Sequence, residues 1–324
     1  MDISLIQNII LAALFSLFLS PLTSVADPLG NCAEDLDGLR PPCEGAGSCN
    51  YEREVDADLF MTDSVTNTVD VTSYIPEFFT ISPIDGQTPE RKTGFIFIHG
   101  GGVDSTAYSG YASALAEQGF PSAHILYESV ISCTPTPPNT AATASAVTEI
   151  ITTYPNIERW VVGGHSLGTT LTDYYMRSGQ LASKVVGFVY LAGYTFDVGN
   201  NDPMPNELKG LLLLASQDNV LTWQSAYDSG ALYPDDMTFI CVEGGNHGQF
   251  GWYGEQAGDG TALISPQEQH DITIAQILAF MIEIDGTLSK KIIKNKKRKV
   301  NKSSNIQAEI LACNNSGQDI IPMR

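Results

Sequence analysis

Positive charge is scarce in most of this 324-residue chain. Residues 1–289 hold eight Lys and Arg against 35 Asp and Glu, a formal charge of −27. A surface that acidic repels nucleic acid and disfavours anionic substrates at long range. Metal-ligand spacings are also missing. The six cysteines, Cys32, Cys43, Cys49, Cys133, Cys241 and Cys313, contain no Cys-x-x-Cys pair, and no His-rich spacing accompanies them. That argues against a zinc site. No apolar stretch reaches the ~20 residues a membrane-spanning helix needs. No internal repeat is found. What remains is 43% hydrophobic and 17% charged, enough apolar material for a sizeable core. The length suits one large α/β domain or two small ones.

Residues 1–26 read as a signal peptide. The apolar run Ile9 to Leu22 precedes Ser24-Val25-Ala26, a small-x-small cleavage pattern. Its n-region carries Asp2 and no Lys or Arg; an uncleaved anchor is the other reading. Export places the chain outside the cell or in an organelle lumen, where disulfides form. Residues 27–55 are an irregular lead-in with three cysteines, and pairing is not readable from sequence. Residues 56–288 form the folded body. Residues 289–324 open with a like-charge block, Lys290-Lys291 through Lys296-Lys297-Arg298-Lys299, and are expected to be a solvated, disordered tail. Asn301-Lys302-Ser303 and Asn314-Asn315-Ser316 are glycosylation sequons.

The body alternates strand and helix patterns. Val-, Thr-, Phe- and Tyr-rich runs between Asp56 and Ile84 predict two or three antiparallel strands. Apolar runs without alternation follow at Phe95–Ile98, Ala123–Tyr127, Trp160–Val162, Val185–Leu191, Leu211–Leu214 and Phe239–Val242. Such runs suit strands covered on both faces. Helical patterns at Tyr108–Gln118, Ala141–Thr153, Leu167–Met176 and Gln267–Ile284 lie between or after them. The fold class is therefore α/β, a mostly parallel twisted sheet of about eight strands with helices on both faces. The stretch Phe196–Leu208 is too short for a large cap.

Chemistry concentrates in three places. Gly164-His165-Ser166-Leu167-Gly168 follows an apolar strand and opens a helix. That context makes the pentapeptide a nucleophile elbow, whose strained serine demands small residues two positions either side. His99-Gly100-Gly101-Gly102 follows an earlier strand. Backbone N–H groups of Leu167 and of Gly101 or Gly102 are expected to form an oxyanion hole. A phosphate-cradling loop is the competing reading, but neither a Lys-Ser/Thr pair nor a second glycine fingerprint follows. No cofactor is expected.

A serine hydroxyl needs a base. Among five histidines, His99 and His165 belong to the turns, with His99 expected to anchor its loop. His124 lies mid-strand, as a core histidine would, and His270 lies on a late helix, expected at its surface. His247 sits in the loop Gly244-Gly245-Asn246-His247-Gly248 after the last strand, where a base reaches the carboxyl edge of the sheet. Asp218, at the end of Leu211–Leu214, is the expected acid. Asp197, Asp202, Asp235 and Asp236 are its rivals. Ser, acid, His is the order of α/β hydrolases. The set predicts acyl transfer on a small-molecule ester or lactone. Lipid or polysaccharide esters, acyl transfer to an acceptor, and an inactive binding module are the alternatives.

These motifs resemble the α/β-hydrolase superfamily. The run Val242-Glu243-Gly244-Gly245-Asn246-His247-Gly248-Gln249-Phe250-Gly251, with Tyr253-Gly254 and Gly258-Asp259-Gly260, is similar to the group called alpha/beta hydrolase fold-5. The resemblance spans about Gly94 to Ile284 and implies a Ser-His-Asp hydrolase with a small or absent cap. Thr169 departs from it, standing where the group often has a second glycine. The lead-in and the basic tail lie outside it.

Overall fold

The computed structural model describes residues 65–69, 77–81, 91–103, 105–126, 140–195, 203–286 and 306–318. The expected signal segment, the Cys-containing lead-in and the Lys/Arg block lie outside these residues. Eight strands form one sheet: β1 (Val65–Val69), β2 (Glu77–Ile81), β3 (Thr93–Ile98), β4 (Ser122–Leu126), β5 (Arg159–His165), β6 (Val185–Leu191), β7 (Lys209–Ala215) and β8 (Met237–Val242). Their spatial order is β1-β2-β4-β3-β5-β6-β7-β8. The pairs β1/β2 and β2/β4 are antiparallel, and every other pair is parallel.

Among the described residues, six α-helices accompany the sheet: α1 (Ser109–Glu117), α2 (Thr140–Thr153), α3 (Leu167–Arg177), α4 (Trp223–Asp228), α5 (Pro266–Asp285) and α6 (Ile306–Gln318). Alternate residues of each central strand serve opposite faces. Ile96, Val162, Leu212 and Leu214 pack with Val147 and Ile150 of α2, Leu171 and Tyr175 of α3, and Ile306 and Ile310 of α6. Phe95, Phe97, Val161, Leu211 and Leu213 pack with Tyr111 and Leu115 of α1 and with Ile277, Phe280 and Met281 of α5. Both faces are covered, which is why the strand sequences do not alternate with polar residues. Full burial of each such aliphatic side chain stabilises the fold by about 1.5–3 kcal/mol.

Helix α5 starts at Ser265, whose side chain and Glu268 form a reciprocal capping box ahead of Pro266. It ends at Gly286 in the left-handed conformation. His270, expected at this helix's surface, is instead buried. It shares an inward stripe with Thr273, Ile277 and Met281, and its ring stacks on Tyr111 at 5.1 Å.

The expectation of a solvated tail over 289–324 does not hold for residues 306–318. Ile306, Ile310 and Cys313 recur at helical spacing and are buried, which seats α6 on β8, β7 and α4. Cys313 forms a disulfide with Cys241 of β8, with Cα atoms 5.5 Å apart. The bond closes 72 residues of separation, a link of the kind that stabilises by roughly 2–4 kcal/mol.

Three buried histidines set an acid limit on this core. Burial pushes His124 and His270 down to about 3, and the charge of His99 adds to the effect on His124. Burial, then the neighbouring His247, hold His165 well below the usual range. Unfolded histidines titrate near 6.5, so below that pH the unfolded chain binds protons that the native chain refuses. Stability is therefore complete above about pH 6.5 and falls as pH drops toward 3. Each histidine contributes a slope of roughly 1.4 kcal/mol per pH unit in that window. Urea midpoints measured between pH 7 and 4 are expected to fall steadily. The substitution His270→Phe, which removes one such proton site while keeping an aromatic, should flatten the slope.

Candidate active site

The carboxyl ends of β5, β7 and β8 converge on one edge of the sheet. β5 ends at His165 and α3 begins at Leu167, leaving Ser166 as the whole connection. Its backbone is forced to φ 52° and ψ −116°, a region non-glycine residues rarely adopt. Glycines make the turn possible. A Cβ on Gly164 would sit 2.3 Å from the carbonyl of Gly168, and one on Gly168 would sit 2.1 Å from Ile98 O. Thr169, the departure from the group's pattern, is accommodated: its buried hydroxyl donates to Gly164 O at 2.8 Å. The Ser166 side chain is half-buried, and the amino end of α3 lies beneath it.

Asp218 lies just past the end of β7, after Ser216 and Gln217, and is 1% exposed. Its Oδ1 accepts the N–H groups of Val220 and Leu221 at 2.8 and 2.7 Å. Its Oδ2 accepts Nδ1–H of His247 at 2.8 Å. With Nδ1 as the donor, Nε2 is the acceptor nitrogen of the neutral ring. Nε2 is buried and makes no hydrogen bond with any described residue, Ser166 included. Catalytic hydrogen bonds are commonly loose before substrate arrives. The rivals are placed elsewhere. Asp235 is exposed, and Asp236 pairs with Lys209 at the opposite end of β7. Asp197 and Asp202 lie outside the described residues.

His165 binds the base loop to the elbow. Its Nε2–H donates to the His247 carbonyl at 3.1 Å, and the two rings lie 4.7 Å apart. Its Nδ1 accepts from the Tyr108 hydroxyl at 2.7 Å, and Tyr108 Oη accepts the Gly100 N–H at 3.2 Å. This chain of bonds requires a neutral ring, which burial supplies. The loop after β3 is thereby fixed to the elbow. A Cβ on Gly101 would meet the Leu167 side chain at 3.0 Å, so these two expected oxyanion-hole residues are adjacent. Gly102 completes the turn at φ 69°. His99 is buried with Nδ1 donating to Gly100 O at 2.7 Å, a loop anchor as expected. Tyr108 was not a candidate from sequence; only its position ten residues past the end of β3 could have hinted at it.

The sequence model of the alpha/beta hydrolase family matches residues 94–271, more than half of the chain. The chain belongs to the alpha/beta hydrolase family. The matched span includes the elbow, Asp218, His247 and Cys241, and leaves α6 with Cys313 outside. Similar solved structures include a predicted CIB-like hydrolase from Thermoplasma acidophilum, 15% identical, covering 66% of this chain and 98% of that one with a TM-score of 0.48. An alpha-beta serine hydrolase homologue from Coxiella burnetii is 14% identical, with 68% and 98% covered and a TM-score of 0.48. Esterase 2 of Thermogutta terrifontis, phosphonylated by sarin in its crystal, is 14% identical, with 71% and 98% covered and a TM-score of 0.49. No curated protein is similar enough to the sequence to match it. Among the described residues, no group of three or more His, Cys, Asp or Glu side chains is arranged to hold a metal ion. No described helix is long and apolar enough to cross a membrane.

Proposed function

We propose that this alpha/beta hydrolase cleaves a small carboxylic ester or lactone through an acyl-enzyme on Ser166. The observation that carries the reading is the buried His247–Asp218 bond, which fixes Nδ1 as donor and frees Nε2 at the edge that holds the strained serine. Nε2 takes the Ser166 proton as Oγ bonds to the carbonyl carbon. The oxyanion that forms is held by the N–H groups of Leu167 and of Gly101 or Gly102. One such donor lowers the barrier by about 3–4 kcal/mol. The imidazolium, balanced by the Asp218 carboxylate, protonates the leaving alkoxide. Water then repeats the sequence: Nε2 removes its proton, its oxygen bonds to the acyl carbon, and the imidazolium returns the proton to Ser166 Oγ as that bond breaks and the acid leaves.

Only 17 residues separate β6 from β7, which leaves no room for a large cap and favours short or slender acyl groups. Export fits this reading, because the Cys241–Cys313 disulfide suits an oxidising compartment. A panel of p-nitrophenyl esters from acetate to laurate tests the substrate class. The expected profile has its highest kcat/KM on the short chains. Cleavage confined to the long chains, or of none, contradicts it.

A further inference from the structure

The turn at Asp259 and Gly260 lies between β8 and α5, further along the same connection that carries His247. It touches both neighbours of the acid and both neighbours of the base. Asp259 Oδ1 accepts the N–H of Asn219 at 3.3 Å, and Asn219 follows Asp218. Asp259 Oδ2 accepts the N–H of Gly248 at 2.8 Å, and Gly248 follows His247. Oδ1 also accepts the N–H of Gly260 at 2.7 Å, which fixes the carboxylate against its own turn. On the preceding side, Gly260 packs so closely on Gln217 that a Cβ there would lie 1.8 Å from the Gln217 carbonyl oxygen. Gly260 O accepts Nδ2–H of Asn246, the residue before His247, at 2.8 Å.

We propose that Asp259 is a positioning residue that clasps the acid loop to the base loop and so sets the Asp218–His247 bond. The inference rests on the Ser-His-Asp reading above. The two loops also meet directly nearer the strands, where the Gln217 N–H donates to Gly245 O at 2.8 Å. Asn246 is held on α5 through Gln269, which donates to Asn246 O and accepts from Asn246 N. Ser216 accepts the Gly244 N–H through its hydroxyl. Asp259 is the side chain that takes one N–H from each loop at the residue next to the working side chain. Two acceptor oxygens are needed for that, one per loop. An amide offers a single acceptor and turns its NH₂ toward the other N–H, so Asp259→Asn loses the bond beside either Asp218 or His247 with little change in volume.

Ester hydrolysis and fluorophosphonate labelling by wild type, Asp259→Asn, Asp218→Asn and the double variant test this. Asp259→Asn is expected to lower kcat roughly 10- to 100-fold, the scale of a misplacement of about 1 Å, with KM changed less than about 2-fold. In the Asp218→Asn background, where the bond it positions is already lost, the same change is expected to cost less than about 3-fold in labelling rate. Titration of competent serines by burst amplitude gives kcat per site, so partial unfolding does not mimic the effect. An undiminished loss in the Asp218→Asn background overturns the proposal, as does a kcat per site equal to wild type. Failure of the wild-type chain to hydrolyse or label is a separate outcome: it removes the hydrolase reading and the clasp with it.

Discussion

Ser166→Ala is expected to lower ester hydrolysis by roughly 10⁶-fold in kcat, the scale seen when a triad nucleophile is removed. The chemistry has no substitute nucleophile at that point, because Ser166 is the single residue between β5 and α3. Stability should change by less than about 0.5 kcal/mol. The side chain is half-buried, and the neighbouring His247 Nε2 makes no hydrogen bond to it, so its removal does not orphan the base. Alanine must still adopt φ 52°, as serine does, so the strain is unchanged. Thermal melts and steady-state kinetics on the same preparation separate the two effects. A variant that melts like wild type and keeps a hundredth of its rate would place the nucleophile elsewhere.

The next largest effect belongs to Asp218→Asn, expected at about 10⁴-fold in kcat with modest change in KM. The direction follows from the hydrogen bonds around the carboxylate. Oδ1 faces two donors, the N–H groups of Val220 and Leu221. An amide at this position must turn its oxygen toward them, which points its NH₂ at His247 Nδ1. That nitrogen then becomes an acceptor and the proton moves to Nε2, the atom that should receive the serine proton. The geometry survives while the tautomer is wrong. Asp236→Asn is the control: its carboxylate pairs with Lys209 at the other end of the strand, and kcat should stay within about 2-fold of wild type.

Much of this site is legible in the residues because its chemistry is local. Gly164 and Gly168 declare the elbow through clashes that any Cβ would create, and such clashes depend only on the turn. Asp218 follows a four-leucine strand, and strand ends are where an α/β sheet collects its functional groups. Other parts depend on contacts distant in sequence. Tyr108 reaches His165 across 57 positions and Asp259 reaches Asn219 across 40, with no spacing rule to announce either. His270 reads as a surface residue because polar side chains flank it; Tyr111 and Trp252, from other elements, enclose it. Helix α6 is hidden by its neighbour. The Lys-rich run beside it dominates the composition, while the apolar stripe Ile306, Ile310, Cys313 is short and gains its burial only by docking on β7, β8 and α4.

The elbow and the acid–base pair arise from separate stretches of chain, and the account depends on their working as one unit. Mass spectrometry after fluorophosphonate treatment tests this most directly, using wild type and His247→Ala in parallel. The expected result is a single adduct per wild-type molecule, on the peptide containing Ser166, and labelling of His247→Ala slowed by at least about 10³-fold. An adduct on any other residue, or equal labelling of the two proteins, would contradict the account.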